Sequence, residues 1–249
     1  MASKKVCLPC MFVVMLWSSF LPSLHAEELR LCSSDYEPYY GSQMADYGPI
    51  IKLAVLAFRE EGYDVKVEFL PWNRVLRYGM SGRCDAIAAV WFSKERESWL
   101  ALTDPIADNQ IGLYKRKTDP LVFKDLLDLK EQGIMVGTVR GYANPESFTK
   151  AGILTEEVSQ DSLNIKKLLS GHLQLVLIDK NLGRHLAAQD GKENDIEWLT
   201  LVETTPMYIG ITINANPNWE KRRDDFNAGL ATLKKKGIFR RLLKEYGVQ

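Results

Sequence analysis

The chain has 249 residues, of which 46% are hydrophobic and 26% are charged. These proportions are ordinary for a globular protein with room for one large domain or two small ones. Its 32 basic residues balance its 32 acidic residues, so no excess of positive charge can neutralise a nucleic-acid backbone, and nucleic acid is not an expected partner.

The N-terminal segment 1–26 differs from everything after it. Two lysines precede an uncharged apolar run at residues 6–21, and Pro22 and small residues then lead to Ala26. This order is typical of a secretory signal peptide, so we expect cleavage after Ala26. The alternative is an uncleaved membrane anchor, because about 20 residues can span a bilayer. The break at Pro22 favours the signal peptide.

Strand and helix patterns alternate in the next part of the chain. Short apolar runs separated by helical patterns are typical of parallel strands that are buried on both faces. Residues 27–111 are therefore predicted to form most of one α/β lobe. The predicted elements are strands at residues 29–33, 65–70 and 85–90 and helices at residues 48–58 and 73–80.

Two cysteines, Cys32 and Cys84, remain after cleavage of the signal peptide, and both lie at or beside predicted buried strands. In an oxidising compartment they could form one disulfide. Two unreactive core thiols are an equally good interpretation. With His172 and His185 as the remaining histidines, we expect neither a zinc site nor a cysteine–histidine nucleophile, and no cofactor.

A second series of alternating elements predicts another α/β lobe over residues 112–208. Asp161 or Ser162 suits the N-cap of one of its helices, and glycines stand where two helices must stop. The predicted elements are helices at residues 123–131, 145–150 and 162–169, a helix ending near residue 189, and strands at residues 134–138 and 173–178.

The chain ends in a strand at residues 208–213 and two helices, the first opened by Asn216 as cap and Pro217 in the first turn. These helices have no strands of their own to cover. We therefore expect residues 209–249 to return to the first lobe.

Such a path crosses between the lobes twice, near residues 110–114 and near residues 207–211. A double connection permits the lobes to rotate while it fixes the axis of rotation, as a clamp that closes around a ligand requires.

One stretch carries the features of a known family. Residues 82–97 read GRCDAIAAVWFSKERE, and residues 103–106 read TDPI. The glycine, the short strand that opens with Asp, the Ser-x-Glu-Arg turn and the Thr-Asp-Pro segment together resemble the bacterial periplasmic solute-binding proteins of the amino-acid type (family 3, the substrate-binding components of ABC transporters). The resemblance implies a two-lobed type II periplasmic binding protein-like α/β fold, each lobe a mostly parallel sheet flanked by helices, joined by a two-strand hinge.

The resemblance implies two charged contacts with a ligand. In the family the turn arginine holds the ligand carboxylate, and an aspartate at the end of a second-lobe strand binds the ammonium group, which points to Arg96 and Asp179. A planar guanidinium offers two parallel donors to a carboxylate. From the residues alone, Arg96 could equally pair with Glu95 or Glu97 on the surface, and Asp179 could be only a helix cap.

The sequence departs from the family pattern at three residues shortly before Arg96. Where relatives have Gly-x-Thr, this chain has Val90 followed by Trp91 and Phe92. A hydroxyl that would contact the carboxylate is therefore missing, and Ser93 is the candidate replacement.

The resemblance also places aromatic and loop residues at the ligand. Tyr36 and Trp72 correspond to rings that sandwich it, although each could instead belong to a core. Arg74 could supply a second cation or lie along a helix surface. In the second lobe, Gly141 and Tyr142 lie in a loop similar to one whose backbone N–H groups meet the carboxylate.

These features predict a monomeric periplasmic receptor that closes around an amino acid or a related solute and docks on a membrane permease. One alternative is an enzyme on the same scaffold, such as a dehydratase. Glu37, Asp46 and Glu95 are its acid or base candidates by residue type only, and no spacing identifies a catalytic pair. We therefore predict a protein that is not an enzyme. The other alternative is a stand-alone ligand sensor.

Overall fold

The computed structural model describes residues 26–245. Apart from Ala26, the predicted signal peptide lies outside the described residues. The described part has nine strands and eight α-helices. The strands are β1 (Glu27–Ser33), β2 (Tyr63–Phe69), β3 (Ala86–Val90), β4 (Leu100–Leu102), β5 (Ala107–Arg116), β6 (Met135–Val139), β7 (Leu154–Val158), β8 (Leu175–Asp179) and β9 (Ile196–Thr212). The helices are α1 (Pro49–Glu60), α2 (Trp72–Met80), α3 (Leu126–Glu131), α4 (Glu146–Ala151), α5 (Asp161–Ser170), α6 (Lys180–Gln189), α7 (Trp219–Lys235) and α8 (Ile238–Glu245).

Two sheets, one in each lobe, share the long strand β9. In the first lobe β1 pairs in parallel with β2 and β3, while β3 and β4 pair antiparallel with the C-terminal part of β9. In the second lobe β6 pairs in parallel with β7 and β8, and β5 lies antiparallel between β8 and β9. Each sheet is therefore mixed, with three parallel strands beside strands that pair antiparallel with β9. Within residues 26–245, no helix combines the length and the apolar content that a membrane crossing requires.

The connection between the lobes is a two-stranded ribbon. Strand β9 runs through both sheets, and β4 and β5 follow it in the opposite direction, with Leu100 opposite Thr212 and Arg116 opposite Ile196. The prediction of a strand at residues 208–213 was wrong in its start, because the strand begins at Ile196. Its first part is only half buried, so its residues alternate between apolar and polar and form no apolar run.

The C-terminal helices pack on α1 in the first lobe. The contact is close at Gly229, where an added Cβ atom would lie 2.0 Å from the carbonyl oxygen of Ala57. Phe226 and Leu230 of α7 are buried, and the Phe226 ring lies 4.9 Å from the Phe58 ring of α1. Glycine at this position lets two helix backbones approach, so it determines where α7 crosses α1.

The structure decides between the two interpretations of the cysteines and tests one predicted helix cap. Cys32 and Cys84 form a disulfide, which joins β1 to the segment before β3, so the interpretation as two free thiols was wrong. The predicted cap of the penultimate helix was also wrong, because α7 begins at Trp219 with Asn218 as its N-cap residue. The Asn216 side chain accepts a hydrogen bond from the Asn218 amide at 2.7 Å, so it stabilises the turn before the helix.

Candidate functional site

A small chamber lies deep in the cleft between the lobes. Its volume is about 20 Å³, and a wider groove of about 700 Å³ continues from it between the two lobes. Ser34, Trp72 and Tyr142 line both spaces. The chamber is lined by Ser34, Tyr36, Tyr40, Trp72, Ala89, Trp91, Arg96, Tyr142 and Ala143.

Aromatic rings from both lobes form most of the chamber wall. Tyr36 stacks on Tyr40 with ring centres 5.6 Å apart and meets Trp91 edge-on at 6.3 Å. From the second lobe, the Tyr142 ring lies edge-on to Trp91 at 5.5 Å and to Trp72 at 6.0 Å. Of the predicted site residues, Tyr36, Trp72, Trp91 and Tyr142 therefore share one chamber. The ring of Tyr40 completes it.

Arg96 brings a buried positive charge to this chamber. Its Nη1 group donates to the carbonyl oxygen of Trp91 at 3.2 Å, and its Nη2 group donates to the carbonyl oxygen of Gly141 at 2.7 Å. The guanidinium carbon lies 5.5 Å from the centre of a Trp72 ring. Burial lowers the pKa of Arg96, and the charge of Glu95 opposes that effect. No carboxylate of residues 26–245 lies within ion-pair distance of Arg96.

The second-lobe loop faces Arg96 with a carbonyl group. The Gly141 carbonyl oxygen accepts from Arg96 and also from the Trp72 indole nitrogen, at 3.1 Å. The amides of Arg140 and Tyr142 donate to carbonyl groups within the second lobe. Gly141 has a φ of 80°, in the left-handed region that favours glycine. Both contacts of Gly141 with the first lobe therefore use its carbonyl oxygen.

Asp179 is completely buried at the end of β8 and lines neither the chamber nor the groove. Its Oδ1 atom accepts from the amides of Asn181 and Leu182, both at 2.9 Å. Its Oδ2 atom accepts from the Tyr39 hydroxyl at 3.1 Å and from the Asn109 side chain at 3.0 Å. A carboxylate has about four lone-pair positions, and these donors fill them. Asp179 thus caps α6 and connects it to the first lobe.

The other predicted site residues lie away from the chamber. Ser93 and Phe92 line a second groove beside β4 and the start of α7, which Trp91 and Arg96 also line, and Phe92 is 55% exposed there. Arg74 lies on the exposed face of α2. The Trp91 indole nitrogen donates to Asn109 Oδ1 at 2.9 Å, which links the chamber wall to the partners of Asp179.

Asp161 is a cleft residue that the sequence interpretation considered only as a helix cap. It lies in the first turn of α5, is 8% exposed, and lines the groove. Its Oδ2 atom accepts from the Tyr142 hydroxyl at 2.7 Å. Burial raises the pKa of Asp161 to about 6 against the opposing effect of the Tyr142 hydrogen bond, and the charge of Asp179 raises it further. Its position in the cleft depends on the packing of α5, and no sequence motif marks it.

The model of the family described as bacterial extracellular solute-binding proteins, family 3, matches residues 29–249. The chain belongs to this family. A comparison with curated proteins found no match.

Solved structures show how the fold of this solute-binding protein compares with others. A mutant of ArgBP from T. maritima has a TM-score of 0.74 at 19% identity, with 88% of this chain and 94% of that chain covered. An ancestral arginine-binding protein bound to arginine has a TM-score of 0.75 at 20% identity, with 89% and 99% covered. A histidine kinase sensor domain with similarity to periplasmic binding proteins has a TM-score of 0.77 at 16% identity, with 89% and 96% covered. These likenesses confirm the predicted two-lobed type II α/β fold.

The acid and base candidates of this solute-binding protein are separated from one another. Glu37 lies in the groove, where its Oε2 atom is 2.8 Å from His185 Nε2. Asp46 forms an exposed ion pair with Lys52 at 2.9 Å. Glu95 is exposed in the turn before Arg96. They do not form a common site.

Proposed function

We propose that this chain binds an amino acid or a closely related solute between its lobes in the periplasm and delivers it to an ABC-type permease. The observation that carries the proposal is Arg96, a buried guanidinium in an aromatic chamber between the lobes, with no carboxylate partner among residues 26–245. A buried charge is unfavourable unless it is paired. A ligand carboxylate would supply the missing partner, and the guanidinium has three N–H donors beyond the two that it uses here.

Contacts across the cleft support a mechanism of capture by closure. Arg96 and Trp72 of the first lobe donate to Gly141 of the second lobe, and Tyr39 of the first lobe donates to Asp179 of the second. In an open form these groups would face water. Closing around a solute expels that water and strengthens the charged contacts, so the ligand stabilises the closed form by its differential affinity for it.

The first test is a thermal-shift screen of amino acids, amines and organic acids. A ligand that binds only the folded state raises stability by RT ln(1 + [L]/Kd), about 2.7 kcal/mol at a hundredfold excess over Kd. We expect one of the amino acids to raise the Tm by about 5–10 °C, since about 2–4 °C per kcal/mol is usual at this chain length. Arg96→Gln should abolish that shift, because the ligand carboxylate loses a charged, hydrogen-bonded partner.

The matched control is Arg77→Gln, which removes an exposed guanidinium from α2. It should leave the shift unchanged. Retention of the shift by Arg96→Gln, or no shift with any probe on the unaltered protein, contradicts the proposal.

A stand-alone sensor is a second candidate, and the similarity in fold to a histidine kinase sensor domain favours it. Closure serves sensing as well as transport. Transport and sensing differ in the protein that recognises the closed form. If the chain serves transport, the ligand-loaded protein should stimulate ATP hydrolysis by a permease encoded beside it. If it serves sensing, the ligand-loaded protein should stimulate the activity of a kinase.

A further inference from the structure

Two buried charges of opposite sign face the interlobar cleft without an ion-pair partner among residues 26–245. Arg96 belongs to the first lobe and Asp161 to the second. Tyr142 connects them, because its ring lines the chamber together with Arg96 while its hydroxyl donates to Asp161 at 2.7 Å. Burying two unpaired charges is unfavourable in the empty protein. A ligand with a negative and a positive end would pair with both.

One residue that lines the chamber has a buried polar atom without a partner. The Tyr36 hydroxyl is buried, and no hydrogen-bond partner for it exists in the described part of the chain. Burial raises the pKa of Tyr36 well above its usual range, and the charges of Asp179 and then Asp161 are among the further causes. The hydroxyl therefore stays protonated, lies in the field of both carboxylates, and can accept a hydrogen bond from a cation. Buried polar atoms without partners are rare, and binding a ligand is one explanation for them.

Asp179 cannot take a further donor in this conformation. Two amides, a hydroxyl and a side-chain amide already fill its acceptor positions. A ligand ammonium group at Asp179 would have to replace the Tyr39 or Asn109 bond. At Asp161 the ligand would instead meet a carboxylate that accepts one side-chain hydrogen bond, from Tyr142.

We propose that Asp161, together with the hydroxyl groups of Tyr36 and Tyr142, binds the cationic nitrogen of a zwitterionic ligand whose carboxylate lies on Arg96. In this assignment Asp179 positions α6 and holds the lobes together without touching the ligand. The aromatic wall contributes as well, because a desolvated cation is attracted to ring faces. The inference rests on the proposed function and specifies which second-lobe carboxylate recognises the ligand.

The test compares two kinds of ligand by isothermal titration calorimetry. The probes are L-arginine, L-glutamine and L-glutamate, each with its α-deaminated analogue, which keeps the carboxylate and lacks the α-nitrogen. We expect Asp161→Asn to weaken binding of the amino acid by at least about 30-fold, the usual consequence of removing one partner of a buried charge pair. The same variant should change binding of the analogue by less than about threefold, since the interaction that it removes is absent there.

Three further variants make the result specific. Asp179→Asn should weaken both ligands by the same factor, because its effect comes through the lobe geometry. Asp125→Asn is the matched control, since Asp125 caps α3 on the exposed surface and asparagine caps as well as aspartate. Asp161→Ser replaces Asp161→Asn if the latter does not fold, as judged by its circular dichroism spectrum.

The outcomes separate the two proposals. Equal losses of amino acid and analogue in Asp161→Asn, or a loss of amino-acid binding below about threefold, overturn the assignment of Asp161 and leave the proposed function standing. If neither set of probes binds the unaltered protein, the proposed amino-acid function fails, and the assignment of Asp161 fails with it.

Discussion

At the residue scale, three charged side chains near the cleft have different surroundings. Arg96 and Asp161 are buried without a charged partner, whereas Asp179 is buried with a complete set of donors. A carboxylate that accepts several hydrogen bonds is stabilised within the protein, but one that lacks them is better placed to bind a ligand. Asp179 therefore has a structural role in this conformation.

The raised pKa of Asp161 predicts a pH dependence of stability in the unliganded protein. The pKa of Asp161 is about 6 in the folded state and 3.8 in the unfolded chain. Between about pH 4 and pH 6 the folded protein therefore keeps a proton that the unfolded chain has lost. Stability should therefore fall as the pH rises through this window, by about 3 kcal/mol. Asp161→Asn should remove this loss and be the more stable protein above pH 7.

Urea unfolding at several pH values from about 4 to 8 measures this difference. The charge of Asp179 is one cause of the raised pKa of Asp161, so the interaction between the two carboxylates is part of the measured difference. Tyr36, Tyr40 and Tyr142 stay protonated throughout, because burial raises the pKa of each well above its usual range. Parallel pH curves for the two proteins would contradict the prediction.

At the element scale, the packing of α7 on α1 completes the first lobe. The helices approach through Gly229, and an added methyl group would overlap the carbonyl oxygen of Ala57. The main chain of a packed helix pair moves less readily than a side chain. A substitution at this glycine therefore has consequences for both helices.

We expect Gly229→Ala to lower the free energy of unfolding by about 1–3 kcal/mol or more, the usual effect of overpacking. Helix propensity alone predicts the opposite sign, a gain of about 1 kcal/mol. Chemical denaturation decides between the two effects. Lys235→Ala, an exposed change on the same helix, should stay within about 0.5 kcal/mol, and a stabilised Gly229→Ala would show that the close approach does not constrain the fold.

At the scale of the whole molecule, hydrogen bonds across the cleft hold the lobes in contact. In addition to the contacts of Arg96 and Tyr39, Glu37 of the first lobe meets His185 and Gln189 of α6 at the mouth of the groove. The two-stranded ribbon joins the lobes covalently, and these hydrogen bonds hold the lobes together across the cleft. Their sum sets the balance between closed and open forms.

Glu37→Ala should shift this balance toward the open form. We expect a larger radius of gyration for the unliganded protein in small-angle X-ray scattering, and an affinity about 3- to 10-fold lower, because part of the binding energy is then used to close the lobes. Glu60→Ala is the control, since Glu60 pairs with Lys236 inside the first lobe at 2.6 Å. Identical radii for the two variants would contradict a role of Glu37 in closure.

Much of the fold could be predicted from the sequence. The strands β3, β6 and β8 are short and almost entirely buried, β1 is buried at its end, and α1 and α5 carry helical apolar patterns bounded by glycine, so local patterns found them. Patterns of that kind failed for β5, β7 and the first part of β9. These strands are partly exposed or lie between the lobes, so their side chains need not form an apolar run.

Less of the candidate site than of the fold could be predicted from the sequence. Motif resemblance brought Arg96, Tyr36, Trp72 and Tyr142 to attention, and the structure places these four around one chamber. The motif resemblance could not show that donors already fill the acceptor positions of Asp179 or that Asp161 lines the groove. Those facts depend on residues far apart in the chain, such as Tyr39 and Asn109 around Asp179.

The sequence by itself determined the alternation of strands and helices, the family, and the residue types available to a ligand, because these follow from local periodicity and from motifs of neighbouring residues. Only the tertiary structure decided which charges are already paired and which are not. Pairing depends on distances between side chains that the chain brings together from separate lobes, and Arg96 and Asp161 come close to one cleft only after β9 and its partner strands have joined those lobes.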